Sequence, residues 1–181
     1  MLFRSLLGEN VNLENIVIVA PDEGAVKQST RISSRLGCSA ATIFKSRNKP
    51  NEIGIMKLMG EVSGKLAIIV DDLIDTGGTA CKACQILLEN GATEVYMLAC
   101  HGLFSGPAIE RISNSNFNKV IVTNTLDQDR YLKNIQLYQC NKFEYIDVSW
   151  MCAEAISRLV EGKSISHLYN DYEYFLAHTG S

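Results

Sequence analysis

The sequence predicts an α/β fold, a mainly parallel sheet flanked by helices on both faces. Short apolar runs recur along the chain without polar alternation, as expected of strands that are covered on both faces. Amphipathic segments with helical spacing lie between these runs, and strands that alternate with helices imply parallel pairing. The predicted strands cover residues 16–20, 41–44, 66–70, 95–100 and 120–123.

The clearest predicted helix follows the third of these strands. Apolar residues within 80–88 repeat at helical spacing, and Gly91 then supplies the left-handed conformation in which helices commonly end. Two more helices are predicted over 24–36 and 150–160. A further helix is expected to start near Pro107, because proline suits the first turn of a helix.

The domain organisation follows from the absence of linker signals. The chain has only three prolines and no low-complexity tract, so nothing in its composition marks a rigid boundary. We predict a lead-in segment over 1–14, one main domain over 15–168, and a tail over 169–181 that is a candidate for poor order. The polar segment 45–52 is predicted to be an exposed, mobile loop.

The charge pattern bears on the class of partner. The formal net charge is −3 and both signs are spread along the chain, so there is no basic stripe for nucleic acid and no membrane-surface helix. The first residues are apolar, but Gly8, Glu9 and Asn10 interrupt them too early for a signal peptide or a membrane span. We therefore expect a cytoplasmic protein that binds small molecules, with neither nucleic acid nor membrane as a partner.

Six cysteines raise the question of disulfides or metal. Several lie inside apolar runs, where cysteine behaves as a small hydrophobic residue, so buried free thiols are expected. Cys81 and Cys84 have the spacing of a metal or redox pair. Neither a second pair nor a well-spaced histidine completes a tetrahedral set, so zinc is not expected.

The chemistry is concentrated after the strand 66–70. Asp71 and Asp72 stand at its carboxyl end, the edge at which open α/β sheets bind ligands. Two adjacent carboxylates at this point suit the hydroxyl groups of a sugar and a hydrated magnesium ion.

The next five residues form a candidate phosphate loop that leads into the helix. Two glycines allow a tight turn, the backbone N–H groups can face a phosphate, and the helix N-terminus adds positive potential. The alternative is that an acid and a threonine merely cap the helix while the glycines tighten a turn. A phosphate cradle beside two acids describes a pentose phosphate site. The loop reads Asp75, Thr76, Gly77, Gly78, Thr79.

This combination resembles the loop for 5-phosphoribosyl 1-diphosphate (PRPP) that type I phosphoribosyltransferases share with PRPP synthetases. In that loop two acids are followed by a third acid and then by Thr-Gly-Gly-Thr. The segments 18–27, 101–108 and 162–168 are similar to PRPP synthetases rather than to other transferases, and the resemblance covers nearly the whole chain from Asn15. The departures are small, since Ala20 stands where that family has serine and Ala25 where it has a second glycine.

The resemblance implies a fold and an activity. The chain is identified as the C-terminal half of a ribose-phosphate diphosphokinase (PRPP synthetase), with a type I phosphoribosyltransferase-like fold. Such enzymes transfer the diphosphoryl group of ATP to ribose 5-phosphate, giving PRPP and AMP for nucleotide biosynthesis, with Mg²⁺ as cofactor and ATP as co-substrate. The full-length protein is expected to be a homo-oligomer, a hexamer by resemblance. Because an N-terminal domain supplies most adenine contacts, this chain alone is expected to lack full activity.

The resemblance also assigns roles to individual residues. Lys45 and Arg47 match a Lys-x-Arg pair that closes over the transferring phosphoryl group, although cations in a polar loop are ordinarily just solvated. Asp22 matches a magnesium-associated acid, with a helix cap as the alternative. His101 is expected to bond a backbone carbonyl rather than to catalyse. The predicted ribose 5-phosphate site is Arg47, Asp71, Asp72, Asp75, Thr76, Gly77, Gly78 and Thr79.

Two other functions stay open at this point. A stand-alone type I phosphoribosyltransferase should carry a base-recognition hood, and no segment of the sequence resembles one. A regulatory, non-catalytic subunit associated with PRPP synthetase should have a degraded catalytic loop, but both Lys45 and Arg47 are present.

Overall fold

A seven-stranded sheet forms the centre of the fold. The computed structural model describes residues 12–46, 55–127, 129–166 and 168. The strand order is β3-β2-β1-β4-β5-β6-β7, and every neighbouring pair is parallel except β2 with β3. The strands are β1 Ile16–Ala20, β2 Ser39–Ser46, β3 Ile55–Met59, β4 Leu66–Ile74, β5 Glu94–Gly102, β6 Lys119–Thr123 and β7 Phe143–Ile146.

Helices follow most of the parallel strands. A short 3-10 helix, Leu13–Asn15, precedes β1. The α-helices are α1 Val26–Leu36, α2 Gly78–Glu89, α3 Ala108–Ser113, α4 Asp129–Leu137 and α5 Ser149–Val160. The mainly parallel α/β architecture predicted from the apolar runs is confirmed.

The chain divides into two compact units. One unit is residues 13–146, which contains the whole sheet and helices α1 to α4. The other unit combines 1–12 with 147–181, and its described part consists mainly of α5. Most of the predicted lead-in and the whole predicted tail lie outside the described residues, so the domain boundaries at 15 and 168 stay predictions.

The core lies on both faces of the sheet in the larger unit. All five residues of β1 are buried, as are residues 67–70 of β4, which explains why both segments read as unbroken apolar runs. Helix α2 covers the sheet with the buried face Ala80, Ala83, Cys84 and Leu87. Removing a side chain such as that of Leu87 from water stabilises the fold by about 2 kcal/mol.

The structure differs from the sequence-based expectation at several element ends. Strand β4 runs on through Ile74, so the two acids lie within the strand and not after it. Strand β2 reaches Ser46 and pairs with β3, so residues 45 and 46 belong to an antiparallel hairpin, because the ladder with β3 supplies their backbone partners. The rest of the predicted loop, 47–52, is outside the described residues.

Three elements, β3, β7 and α4, carry no clear pattern in the sequence. Both strands lie at the edges of the sheet, where only one side is paired and the apolar signal is weak.

No helix in the part of the chain that the structure describes has the length and apolar character needed to cross a membrane.

Candidate functional site

Two acids near the carboxyl end of β4 form one side of the site. Asp71 is half-buried and Asp72 is exposed. The backbone N–H of Asp72 donates to Asp71 Oδ1 at 2.9 Å. Because β4 pairs with β1 on one side and with β5 on the other, these acids lie centrally at the carboxyl edge of the sheet, where parallel sheets bind ligands.

Three carboxylates interact at this edge. Burial, opposed by a backbone hydrogen bond and assisted by the nearby charges of Asp22 and Asp72, raises the pKa of Asp71 to about 6. The pair predicted from sequence, Asp71 and Asp72, is therefore joined electrostatically by Asp22 from the end of β1. Such mutual repulsion favours a cation or a hydroxyl donor between the carboxylates.

Asp22 also has a structural role. Its Oδ1 accepts hydrogen bonds from the N–H groups of Gly24 at 2.9 Å and Ala25 at 3.2 Å, directly before α1. Asp22 therefore stabilises the turn before α1, but it is not the helix cap considered as the alternative, because the N-cap residue is Ala25 and no side chain caps the helix there. The assignment of Asp22 to magnesium stays a prediction.

The loop after β4 is held by its carbonyl groups. The N–H groups of Leu103 and Phe104 donate to the carbonyl of Ile74 at 2.9 and 3.1 Å, and the N–H of Ser105 donates to the carbonyl of Asp75 at 3.0 Å. The segment 103–105, which follows β5, thus anchors the start of the phosphate loop from one side.

The next two carbonyls are held in the same way by different donors. Arg111 Nη1, on α3, donates to the carbonyl of Thr76 at 2.6 Å. The N–H of Cys81 donates to the carbonyl of Gly77 at 3.0 Å, which is the first hydrogen bond of α2. All four successive carbonyls from Ile74 to Gly77 therefore have donors.

The direction of the loop N–H groups follows from these carbonyls. In a trans peptide the C=O and N–H point in opposite directions, so the N–H groups of Asp75, Thr76 and Gly77 face away from the anchoring segment. The first N–H groups of α2 also have no acceptor within the helix. Together they form a backbone donor cluster at a helix N-terminus, which is the arrangement that binds phosphate.

The two glycines of the loop are constrained differently, Gly77 by its backbone conformation and Gly78 by a close side chain. Gly77 is buried, has a φ of +70°, and an added Cβ would lie 3.4 Å from the side chain of Ile112. At Gly78 an added Cβ would lie 3.3 Å from Arg111 Nη1. A side chain at Gly77 would be strained by the left-handed backbone, and one at Gly78 would press on the guanidinium.

An aromatic cluster fixes the anchoring segment. Phe104 is buried with a φ of 49°, and its ring meets Tyr131 at a centroid distance of 4.9 Å and Phe143 at 5.3 Å, both edge-on. An added Cβ on Gly102 would lie 2.4 Å from the Phe104 ring. A strained backbone held by packing is typical of residues that position a site.

The two predicted catalytic cations are only partly located. The backbone of Lys45 lies in β2 opposite Met56 of β3. Arg47 lies outside the described residues. Their assignment to catalysis stays a prediction.

His101 differs from the sequence-based expectation. Its Nδ1 lies 2.7 Å from Thr125 Oγ1, so its partner is a hydroxyl group rather than a backbone carbonyl. Thr125 Oγ1 in turn donates to the carbonyl of Cys100 at 3.1 Å. The carbonyl is reached through the threonine, which links the ends of β5 and β6.

Within the described ranges, no group of three or more His, Cys, Asp or Glu side chains is arranged to hold a metal ion. Cys81 and Cys84 are free thiols. Burial raises the pKa of Cys84 to about 12, so this thiol carries no thiolate character at neutral pH.

Arg111 is the site residue that sequence reasoning missed. It stands 35 positions after Thr76, and no motif of the sequence connects the two. Only the packing of α3 beside the phosphate loop brings its guanidinium to the Thr76 carbonyl.

Comparison with known proteins gives the family to which this chain belongs. The chain belongs to the phosphoribosyl synthetase-associated domain family, whose family model matches residues 43–170. It is similar to the crystal structure of phosphoribosylpyrophosphate synthetase from Mycobacterium smegmatis, with 32% identity and a TM-score of 0.76 over 89% of this chain and 50% of that one. The chain thus spans about half the length of that synthetase, and the predicted resemblance to PRPP synthetases is confirmed.

More distant structures share the fold alone. An adenine phosphoribosyltransferase matches with 20% identity and a TM-score of 0.53, over 67% of this chain and 73% of that one. An adenine phosphoribosyltransferase from Giardia lamblia, complexed with 9-deazaadenine, matches with 12% identity and a TM-score of 0.53, over 66% and 73%. The predicted type I phosphoribosyltransferase-like fold is confirmed.

Proposed function

We propose that this chain is the C-terminal half of a ribose-phosphate diphosphokinase and that its phosphate loop binds ribose 5-phosphate. The observation that carries the proposal is the set of three loop carbonyls, those of Ile74, Asp75 and Thr76, that are held by donors from outside the loop, which turns the N–H groups of the same peptides away from those donors and leaves them for a ligand. Membership of the phosphoribosyl synthetase-associated family and the 32% identity to half of a synthetase support it.

The proposed binding mode uses both parts of the site. The 5-phosphate accepts hydrogen bonds from the N–H groups of the loop and the α2 N-terminus, with the hydroxyl groups of Thr76 and Thr79 as further donors. Asp71 and Asp72 accept hydrogen bonds from the vicinal hydroxyl groups of the ribose. Asp75, between the two parts, belongs to the same loop. A ligand with an anionic group and a neighbouring diol satisfies both parts at once.

The acids suit Mg²⁺, which completes the proposed site. Asp22, Asp71 and Asp72 offer only carboxylate oxygens, the ligands that Mg²⁺ prefers, and burial together with their mutual repulsion raises the pKa of Asp71. Mg²⁺ keeps several waters and relies on substrate phosphates for other ligands, so one or two carboxylates are enough. When bound, Mg²⁺ neutralises charge on the triphosphate of ATP. Asp22 Oδ1 remains a cap for the turn before α1.

The proposed reaction is a diphosphoryl transfer. The anomeric hydroxyl oxygen attacks the β-phosphorus of ATP, the bond from that phosphorus to the α-phosphate oxygen breaks, and the hydroxyl proton is released. The products are PRPP and AMP. Since negative charge spreads over the equatorial oxygens, the reaction depends on positioning and on cations, for which Lys45 and Arg47 are the proposed donors. Arginine can hold two phosphoryl oxygens at once, whereas lysine acts as a point charge.

Calorimetry on the 181-residue chain tests the binding part of the proposal. Ribose 5-phosphate should bind weakly in the presence of magnesium, and PRPP and inorganic phosphate should compete, because all three present oxyanions to the same N–H groups. Ribose without its phosphate is the control and should bind far more weakly. Equal affinity for ribose and ribose 5-phosphate would show that the phosphate is wrongly assigned.

An activity assay tests the assignment of this chain to half of the enzyme. We expect no measurable AMP when the chain alone is incubated with ATP, magnesium and ribose 5-phosphate, because adenine recognition is proposed to lie in the other half. A reacting atom misplaced by about 1 Å can lower the rate about a hundredfold. AMP release that depends on ribose 5-phosphate would contradict this and would require a nucleotide site in these residues.

Substitution of the two cations tests the catalytic part in a chain joined to an N-terminal half. Lys45→Ala and Arg47→Ala should each lower kcat by about a hundredfold or more, far more than they lower ribose 5-phosphate affinity, since the charge they meet develops in the transition state. Lys49→Ala, in the same polar segment, is the matched control and should have little effect. A change confined to the Michaelis constant would contradict the assignment.

The same joined chain separates the two alternative functions. A type I phosphoribosyltransferase would consume PRPP with a free base, and a regulatory subunit would show neither reaction.

We propose that the full-length protein is a homo-oligomer, a hexamer by family resemblance, and sedimentation of the joined chain checks this.

A further inference from the structure

We propose that Arg111 is a positioning residue of the phosphate loop: it holds the Thr76 carbonyl so that the Gly77 N–H faces the bound phosphate. This inference rests on the proposed function, because it names the group that orients one donor of that site. Arg111 itself lies on the carbonyl side of the loop and is not proposed to contact the ligand.

The guanidinium of Arg111 lies against the phosphate loop and against the start of α2, the helix that follows this loop. Arg111 Nη1 lies 2.6 Å from the Thr76 carbonyl oxygen and 3.3 Å from the position that a Cβ on Gly78 would occupy. The Arg111 backbone is fixed as well, since its carbonyl accepts a weak hydrogen bond from Cys81 Sγ, on α2, at 3.8 Å. The side chain therefore reaches Thr76 from a helix that is itself tied to α2.

Thr76 is the point at which the loop depends on a side chain. The carbonyls of Ile74, Asp75 and Gly77 accept from backbone N–H groups, whereas the Thr76 carbonyl accepts from Arg111. Backbone donors survive a substitution, but a side-chain donor does not. The peptide between Thr76 and Gly77 also precedes a residue with a φ of +70°, where glycine permits several backbone conformations. Without the guanidinium this peptide is free to rotate, and the Gly77 N–H then turns away from the phosphate.

The simpler interpretation is a surface arginine that bonds a carbonyl and stabilises the fold slightly. That interpretation predicts a change in melting temperature with no change in phosphate binding. A purely electrostatic role predicts that any lost positive charge near the loop weakens binding equally. The exposed Lys82, on α2, serves as the matched control for charge, since Lys82→Met removes one positive charge from the helix that follows the loop.

The test uses the 181-residue chain and inorganic phosphate as the probe, with ribose 5-phosphate in a second series. Amide spectra of labelled protein follow the Gly77 N–H during the titration, and melting curves report stability. In the wild type the Gly77 signal should move with phosphate. In Arg111→Met affinity should fall about tenfold, the Gly77 shift should be lost, and the melting temperature should change by no more than a few degrees. Lys82→Met should stay within about twofold of the wild type.

Each outcome decides one question. Unchanged phosphate affinity and an unchanged Gly77 shift in Arg111→Met overturn the inference while the proposed function stands. An equal loss in Lys82→Met overturns it too, since charge alone would then explain the effect. If the wild type binds neither ligand, the proposed function fails and the inference fails with it.

Arg111→Lys decides the matter if Arg111→Met does not fold. An ammonium keeps the charge but cannot reproduce the fixed geometry of a guanidinium, so phosphate should raise the melting temperature of Arg111→Lys less than that of the wild type. An equal rise in both proteins overturns the inference.

Discussion

Two loops at the same edge of the sheet differ in whether their backbone N–H groups have an acceptor within the loop. Between β1 and α1, the carboxylate of Asp22 accepts from the N–H groups of Gly24 and Ala25. Between β4 and α2, the N–H groups of 103–105 and the guanidinium of Arg111 instead donate to the loop carbonyls, and the N–H groups of the loop face the other way. Both connections lead from an acid through glycine into a helix.

The difference teaches that a glycine-containing strand-to-helix turn is not by itself an anion site. In the first loop an internal carboxylate lies against the donors that a phosphate would need, so in this conformation the turn is satisfied from within. In the second loop the anchoring comes from outside, which leaves donors for a ligand. The four predictions that follow test this comparison, from the largest expected effect to the smallest.

Equivalent substitutions in the two loops should have unequal effects on ligand binding. Gly78→Val should weaken ribose 5-phosphate binding by about a hundredfold or more, because the side chain presses on Arg111 Nη1 and covers the loop donors. Gly24→Val should leave that binding within about twofold, since its Cβ would meet only the end of the Asp22 side chain, at 3.2 Å. Calorimetry measures both. Similar losses in both variants would remove the distinction between the loops.

The external anchor of the phosphate loop should be sensitive at Gly102. Gly102→Ala places a Cβ within 2.4 Å of the Phe104 ring, so the ring and the segment that holds the Ile74 and Asp75 carbonyls must shift. Overpacking of this kind costs about 2 kcal/mol, which lowers the melting temperature by about 4–8 °C. Phosphate affinity should fall in parallel. A variant that melts like the wild type would show that the anchor tolerates movement.

The Asp71 carboxylate should destabilise the fold at neutral pH while it contributes to ribose 5-phosphate binding. Its folded-state pKa of about 6 lies above the ordinary value of 3.8. Asp71 therefore contributes to the stability of the fold in full below about pH 3.8, and this contribution is lost as the pH rises through 6. Asp71→Asn should therefore raise the melting temperature at pH 7 in chelator by about 2–4 °C, or about 1 kcal/mol allowing for partial exposure, with a smaller gain at pH 4. The same variant should bind ribose 5-phosphate more weakly.

Glu110→Gln, an exposed charge loss on α3, is the control for the Asp71 variant. It should not show the gain in stability at pH 7. An Asp71→Asn protein that is less stable than the wild type at pH 7 would mean that the carboxylate is stabilised by contacts that outweigh its burial.

The internal cap of the first loop should show the smallest effect. Asp22→Ala removes the acceptor for the Gly24 and Ala25 N–H groups and should lower the melting temperature by about 2 °C, as for the loss of a modest helix cap. Asp22→Asn keeps an acceptor oxygen and should recover most of that loss. Both variants should bind ribose 5-phosphate nearly as well as the wild type when magnesium is absent. A large loss of binding there would give Asp22 a direct part in the ribose site.

The sequence alone determined the central strands, helix α2 and the position of the phosphate loop. These features depend on local signals: unbroken apolar runs for strands covered on both faces, 3.6-residue spacing for the helix, and glycines at its start. The family resemblance rests on the same short motif, since a phosphate loop is contiguous in the chain. The edge strands β3 and β7 and the extension of β4 gave no such signal, because a half-paired strand depends on its neighbour.

Tertiary structure alone decided how the phosphate loop is held and which residue from outside the loop donates a side-chain hydrogen bond to it. Arg111 reaches Thr76 across 35 positions of chain, and the segment 103–105 bonds the loop carbonyls only because β5 lies beside β4. The fold also buries Asp71 and brings Asp22 near it, and both effects raise the pKa of Asp71. Hydrogen-bond partners distant in sequence leave no periodic trace, so the direction of the N–H groups, on which phosphate binding depends, becomes readable only once the strands are placed side by side.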